Sequence, residues 1–196
     1  ELAMKEHLTS LRRHIDDLGK RDYSAVPDLR TLDFVLMFVP VEAAYIEAFS
    51  QRSGLTRQDV VLSLRGRNVR GSAADDGPLQ SYEPIKRMLW LSPNHLDAAY
   101  MPRHVEAAIE HGVSFIQGYS SAVYELARWL DYNPVPRFVA AVRGVQLFSE
   151  SAEPDMVALI ERVFGCPVLV HYGHSERSVM AGSMPDDHRY FVWPLY

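Results

Sequence analysis

From about residue 98 onward, short apolar runs alternate with amphipathic helices at a period of roughly 25 residues, and nothing else in the chain narrows the fold so far. The pattern predicts a helix over 98–111 closed by Gly112, then a strand from Ser114 to Gln117 that runs into Gly118. A helix from Ser121 to about Asp131 follows, with Val123, Leu126, Ala127 and Leu130 on one face. Gly144 to Phe148 reads as the next strand. Pro154 sits in the first turn of a helix that Gly165 stops, with Met156, Leu159, Ile160 and Val163 as its stripe, and Val168 to His171 is a last strand. Strands joined by helices pair in parallel through right-handed crossovers. The expected fold class is therefore α/β, an open, layered, mostly parallel sheet with flanking helices. Val60-Val61-Leu62 and Met88 to Leu91 read as further strands, and Gly66 to Gln80 as an exposed loop.

The first fifty residues carry a different pattern. Met4, Leu8, Leu11, Ile15 and Leu18 share one helical face ahead of Gly19, Asp33 to Val39 is a buried-strand run ended by Pro40, and Val41, Ala44, Tyr45 and Ala48 suit a second helix. This helix-strand-helix segment gives way at Ser50–Gly54, which divides the chain into an N-terminal part, 1–50, and an α/β domain, 51–196. The single cysteine, Cys166, rules out a disulfide scaffold. A net charge of -5 argues against a protein that coats nucleic acid. The longest apolar run falls far short of the roughly 18 residues of a membrane span. No secretory signal is visible, so no membrane partner is expected and the cytoplasm is the expected compartment. The chain opens on Glu1 and stops at Tyr196 inside an aromatic run, which reads as a fragment of a longer protein with apolar surface available for self-association.

In open α/β sheets ligands bind beyond the carboxyl ends of the strands. Three segments lie there: Gly118-Tyr119-Ser120-Ser121, Ser149-Glu150-Ser151 and Tyr172-Gly173-His174-Ser175-Glu176. Together they offer a ring for stacking, hydroxyls for phosphate and a carboxylate for Mg²⁺. Equally, Ser121 and Ser149 suit helix caps and Glu176 a solvated loop charge. His171, His174, Glu176 and His188 include zinc-ligating types, but in no recognised zinc spacing. His104 and His111, seven apart on a helix, read as surface residues, and Cys166 as a small buried side chain rather than a nucleophile.

Tyr172-Gly173-His174-Ser175-Glu176, with Ser149-Glu150 and Gly118-Tyr119-Ser120-Ser121-Ala122 upstream in the same order, resembles the adenylate-forming superfamily, in its phenylacetate-CoA ligase and CapK-like branch. Arg65-Gly66-Arg67 and Leu89-Trp90-Leu91-Ser92-Pro93-Asn94-His95-Leu96 extend the likeness from about residue 59 to the end. The resemblance implies that Tyr172 packs on adenine beside Gly173 and His174, that Ser175 contacts the α-phosphate, and that Glu176 holds Mg²⁺. It places Ser149 and Glu150 at the border of the adenine and acyl pockets, and Gly118 and Tyr119 on the acyl side. The implied reaction joins a small-molecule carboxylate to ATP as an acyl-adenylate, for transfer to coenzyme A or another acceptor. Two parts of that family's pattern are missing: a hydroxyl-rich phosphate loop, and a lysine after the motif, since the only lysines are Lys5, Lys20 and Lys86. An unaided adenylation cycle is therefore not expected of this polypeptide.

Arg12-Arg13-His14-Ile15-Asp16-Asp17-Leu18, Tyr23 and Leu32 through Tyr45 are similar to the RmuC family of DNA recombination proteins. That resemblance implies a nuclease-related segment with nucleic acid as partner. Its Asp-x-Lys metal element is not present, and residues 1–50 hold six basic and nine acidic side chains, a net of -3. Glu42 also suits the N-terminus of a helix. Two partial resemblances meeting near residue 50 read as a chimeric or fused frame, leaving a catalytically inactive fragment as a further alternative.

Overall fold

The computed structural model describes residues 43–65, 79–92, 95–173, 179–184 and 187–192. The chain divides into two compact units, Glu1–Glu47 and Ala48–Tyr196. Of the first, the described residues are 43–47, which begin a helix, α1, over 43–52. The helix expected over 4–18 and the strand expected over 33–39 lie outside the described residues.

The second unit is built on a sheet of eight strands: β1 (Val60–Leu64), β2 (Gln80–Glu83), β3 (Met88–Leu91), β4 (Val113–Tyr119), β5 (Gly144–Phe148), β6 (Val168–Gly173), β7 (Met180–Met184) and β8 (Asp187–Val192). Their order is β2-β3-β1-β4-β5-β6-β7-β8. The five central strands run parallel, and β2 at one end and β7 and β8 at the other are antiparallel to their neighbours. The expected mostly parallel α/β sheet is the fold observed. Helices α2 (Met101–Glu110), α3 (Ser120–Tyr132), α4 (Pro136–Val139) and α5 (Pro154–Phe164) connect it.

Central parallel strands are covered on both faces, and their sequences show it: β1 and β5 are buried at every position. One face, with Leu62, Ile116, Leu147 and Val170, shares the main core with the buried sides of α2, α3 and α5. Val123, Leu126, Ala127 and Leu130 of α3 are buried as the periodicity predicts. On α5 the fully buried residues are Val157, Ile160 and Phe164; of the predicted stripe Ile160 is among them, and Leu159 and Val163 are partly buried against the core. The difference arises because α5 packs against α3 as well as the sheet, so two neighbours set its inward face. Each such fully buried aliphatic side chain contributes about 1.5–3 kcal/mol. Gly165 ends α5 at φ 60°, a left-handed cap whose N–H donates to the Glu161 carbonyl.

The other face is covered in part by the C-terminal turns of α1. Phe49 is fully buried. A side-chain Cβ at Gly182 would lie 2.6 Å from its ring, so β7 passes beneath Phe49 only because that position is glycine. Ser53 accepts a hydrogen bond from Gln146 Nε2 at 2.7 Å and donates to the Ser50 carbonyl at 2.6 Å, which satisfies the buried amide of β5.

Two strands, β2 and β7, go beyond the sequence pattern. Gln80-Ser81-Tyr82-Glu83 is too polar to read as a strand, and starts inside what reads as loop; pairing with β3 makes it one. Met180-Ala181-Gly182-Ser183-Met184 is poor in strand formers, and pairing with β6 supplies what propensity does not. His104, expected on the surface, is buried in α2, with Nε2 2.8 Å from the His95 carbonyl. Burial pushes its pKa down. His95 in turn meets Ser92 Oγ at 2.9 Å. A helix face that packs on a polar loop can bury a histidine, which spacing alone does not reveal.

Candidate functional site

The chain leaving β1 passes through the edge strand β2 to reach β3 on one side, and the chain leaving β4 passes through α3 and α4 to β5 on the other. Such a reversal opens a crevice at the carboxyl ends of the two strands. Here Leu64 pairs with Gly118. A Cβ at Gly118 would stand 2.7 Å from Leu64 Cβ and 2.8 Å from its carbonyl oxygen, so the close approach of β1 and β4 requires glycine.

One register step further lies a row of charged and aromatic groups. Tyr119 pairs with Phe148, and the β5–β6 register places His171 beside Phe148. The Phe148 and His171 rings are 5.4 Å apart, and Phe49 lies 5.7 Å from His171. Arg65, the residue after β1, holds its guanidinium 4.8 Å over the Phe148 ring. His171 Nε2 is buried and, among the described residues, has no hydrogen-bond partner, a state that costs about 1–3 kcal/mol. Burial first, and then the positive charge of Arg65, lower the pKa of His171 to about 4. At neutral pH the ring is therefore uncharged.

Residues expected from sequence to form the site come to this edge on adjacent parallel strands: Gly118 and Tyr119 on β4, Ser149 and Glu150 just after β5, Tyr172 and Gly173 at the end of β6. Ser149 sits at φ 64°, a left-handed conformation that costs a serine about 1 kcal/mol. The Glu150 carboxylate accepts a hydrogen bond from the Ser121 backbone N–H at 3.0 Å, in the first turn of α3. That helix has no side-chain cap of its own, so a carboxylate from the neighbouring loop serves, favoured there by the helix dipole. The expectation that Ser121 caps α3 is not met; Glu150 does so instead. Tyr172 is 52% exposed and meets Tyr190 edge-on at 6.2 Å. Successive strand residues face opposite ways, so Tyr172 lies on the face opposite His171. His174, Ser175 and Glu176 lie outside the described residues.

Arg65, Phe148 and His171 were not picked out by sequence reasoning as one group. Their common signal is position: each is the last residue, or the next after it, of an apolar run that becomes a parallel strand. Cys166 is half-buried, and burial, then the charge of Glu161, push its thiol up to about 11, so it is no nucleophile at neutral pH. Among the described residues no group of three or more His, Cys, Asp or Glu is placed to hold a metal ion, and no helix is long and apolar enough to cross a membrane.

Of the groups the sequence resemblance implies, a nucleotide base would meet an exposed ring at Tyr172, and the Mg²⁺ ligand it implies, Glu176, lies outside the described residues.

A family model described as the RmuC family matches residues 1–61. Curated relatives include a DNA recombination protein RmuC homolog from Yersinia pestis, 50% identical over 58 residues, covering 30% of this chain and 12% of that protein. DNA recombination protein RmuC from Escherichia coli strain K12 is 51% identical over 55 residues, covering 28% and 12%. The chain thus spans about an eighth of the length of the curated relatives it matches. Among solved structures, an open conformation of 2-hydroxyisobutyryl-CoA ligase in complex with 2-HIB-AMP and CoA is 14% identical, covers 70% of this chain and 30% of that chain, and has a TM-score of 0.48. Brucella canis acyl-CoA synthetase is 17% identical, covering 69% and 24%, with a TM-score of 0.41. The resemblance to RmuC read from the first fifty residues recurs in the family match over residues 1–61.

Proposed function

We propose that the sheet unit is part of an adenylate-forming ligase domain, a nucleotide- and carboxylate-binding module of the type that activates acids for transfer to coenzyme A. The observation that carries this reading is the meeting of Gly118-Tyr119, Ser149-Glu150 and Tyr172-Gly173 at the carboxyl ends of three neighbouring parallel strands. Segments far apart in sequence converge where an α/β sheet binds ligands.

In this reading Tyr172 offers an exposed ring to the adenine. Ser149 and the Glu150 backbone border the base, and Tyr119 with Phe148 shapes the acyl side. Glu176 and Ser175 complete the phosphate and Mg²⁺ contacts. Mg²⁺, when bound, would supply charge neutralisation on phosphate. The chain's own contribution in this reading is to bind and orient ATP and the carboxylate, in the cytoplasm. Calorimetry with Mg·ATP should show weak binding that Glu176→Ala abolishes and Tyr172→Ala weakens. Binding unchanged in both variants would sink the assignment.

The family match over residues 1–61 favours a second reading for the N-terminal part, a DNA-associated segment related to RmuC. It predicts DNA binding by the full chain that falls steeply as salt rises. A clean negative at low salt would remove it.

A further inference from the structure

We propose that Arg65 and His171 form an anion-recognition pair at the carboxyl edge, taking a carboxylate or phosphate oxygen that approaches over Gly173. The inference rests on reading this edge as the ligand site and adds the chemistry of what enters beside Phe148. Three observations carry it. Arg65 holds its guanidinium 4.8 Å over the Phe148 ring, and among the described residues no carboxylate pairs with it. His171, 5.4 Å from the same ring, has a buried Nε2 with no partner among the described residues. Gly173, next on the same face of β6, brings bare backbone against that ring: a Cβ there would lie 3.2 Å from His171 Cε1 and 3.7 Å from Nε2.

The local chemistry selects the ligand. A neutral imidazole with its proton on Nε2 offers one donor, and the guanidinium offers several in a planar fork. Both are donors, and the aromatic walls Phe49 and Phe148 strengthen a charge-assisted hydrogen bond by excluding water. An anionic oxygen satisfies both at once. A cation would meet the guanidinium charge, and a hydrocarbon would leave Nε2 unpaired.

The test uses the full chain with ¹⁵N-labelled histidine at neutral pH and constant ionic strength, titrated separately with acetate and with inorganic phosphate. A saturable shift of His171 Nε2 is expected with one of them. Saturation by acetate assigns a carboxylate ligand, and saturation by phosphate assigns a phosphoryl group. Arg65→Gln should weaken that binding about tenfold, the loss of one charge-assisted contact, while Arg65→Lys keeps most of it. Gly173→Ala, whose methyl would stand beside Nε2, should weaken it as well. No saturable shift with either anion, or one that Arg65→Gln and Gly173→Ala leave intact, overturns the pair. Mg·ATP affinity measured on the same samples separates the two readings. ATP binding with a silent Nε2 removes the anion pair alone, and a responsive Nε2 without ATP binding supports the pair while removing the nucleotide assignment.

Discussion

At the amino end of the parallel strands, Asp59 accepts hydrogen bonds from the Thr56 backbone at 2.8 Å, the Thr56 hydroxyl at 2.7 Å and Ser114 at 2.8 Å, and pairs with Arg143. At the carboxyl end of the same strands, His171 Nε2 has no partner among the described residues, Ser149 is held at φ 64° and Tyr172 is half exposed. The first arrangement ties β1, β4 and the entry to β5 together and uses up the carboxylate's acceptor sites. The second leaves donors and rings available beside two glycines. The strain at Ser149 and the unsatisfied His171 nitrogen cost stability, which suits an edge that meets something other than the sheet itself.

The difference should show first in acid. His171 is held neutral in the fold, with a pKa of about 4, against about 6.5 in an unfolded chain. The unfolded state then binds more protons between those values, so stability falls as pH drops from about 6.5 to about 4. Urea unfolding should show the wild type losing about 2–3 kcal/mol over that window, with most of that loss absent in His171→Gln. A parallel loss in the variant would move the cause elsewhere.

Asp59 predicts a smaller effect in a different window. Burial would raise its pKa, but the hydrogen bonds from Arg143, Thr56 and Ser114 outweigh that and hold it at about 2. Its contribution is present above about pH 4 and is lost as pH falls through about 2. Asp59→Asn should destabilise by about 1–2 kcal/mol near pH 6, with the gap to wild type closing in strong acid. Nucleotide and anion binding at the carboxyl edge should be unchanged in that variant, and a loss there would break the separation of the two ends.

The smallest effect belongs to Glu150→Ala. Removing the cap on α3 should cost about 1 kcal/mol, read from the thermal midpoint. An unchanged midpoint would mean water replaces the carboxylate without loss.

Much of this was legible in the sequence. The strands at Met88–Leu91 and Gly144–Phe148 and the buried face of α3 follow from apolar period and glycine stops, because they are local. β2 and β7 were not legible, since their strand state comes from pairing with β3 and β6 rather than from their own residues. The site divides the same way. Tyr119, Ser149 and Tyr172 could be found as residues that follow predicted strands, whereas grouping Arg65, Phe148 and His171 requires knowing that β4 separates β1 from β5 and that β6 lies beside β5. Strand order is a property of the whole chain. The RmuC-like match and the sheet unit also do not share a boundary: the match runs to residue 61, while the unit begins at Ala48, so Phe49 and Ser53 belong to both.

The most direct measurement is backbone amide mapping of the full chain during a Mg·ATP titration. Shifts confined to Tyr119, Phe148 to Glu150 and Tyr172 to Glu176, with Thr56, Asp59 and Ser114 silent, are the predicted result. Shifts centred on the amino end, or none at saturating nucleotide, would contradict the assignment of the carboxyl edge as the nucleotide site.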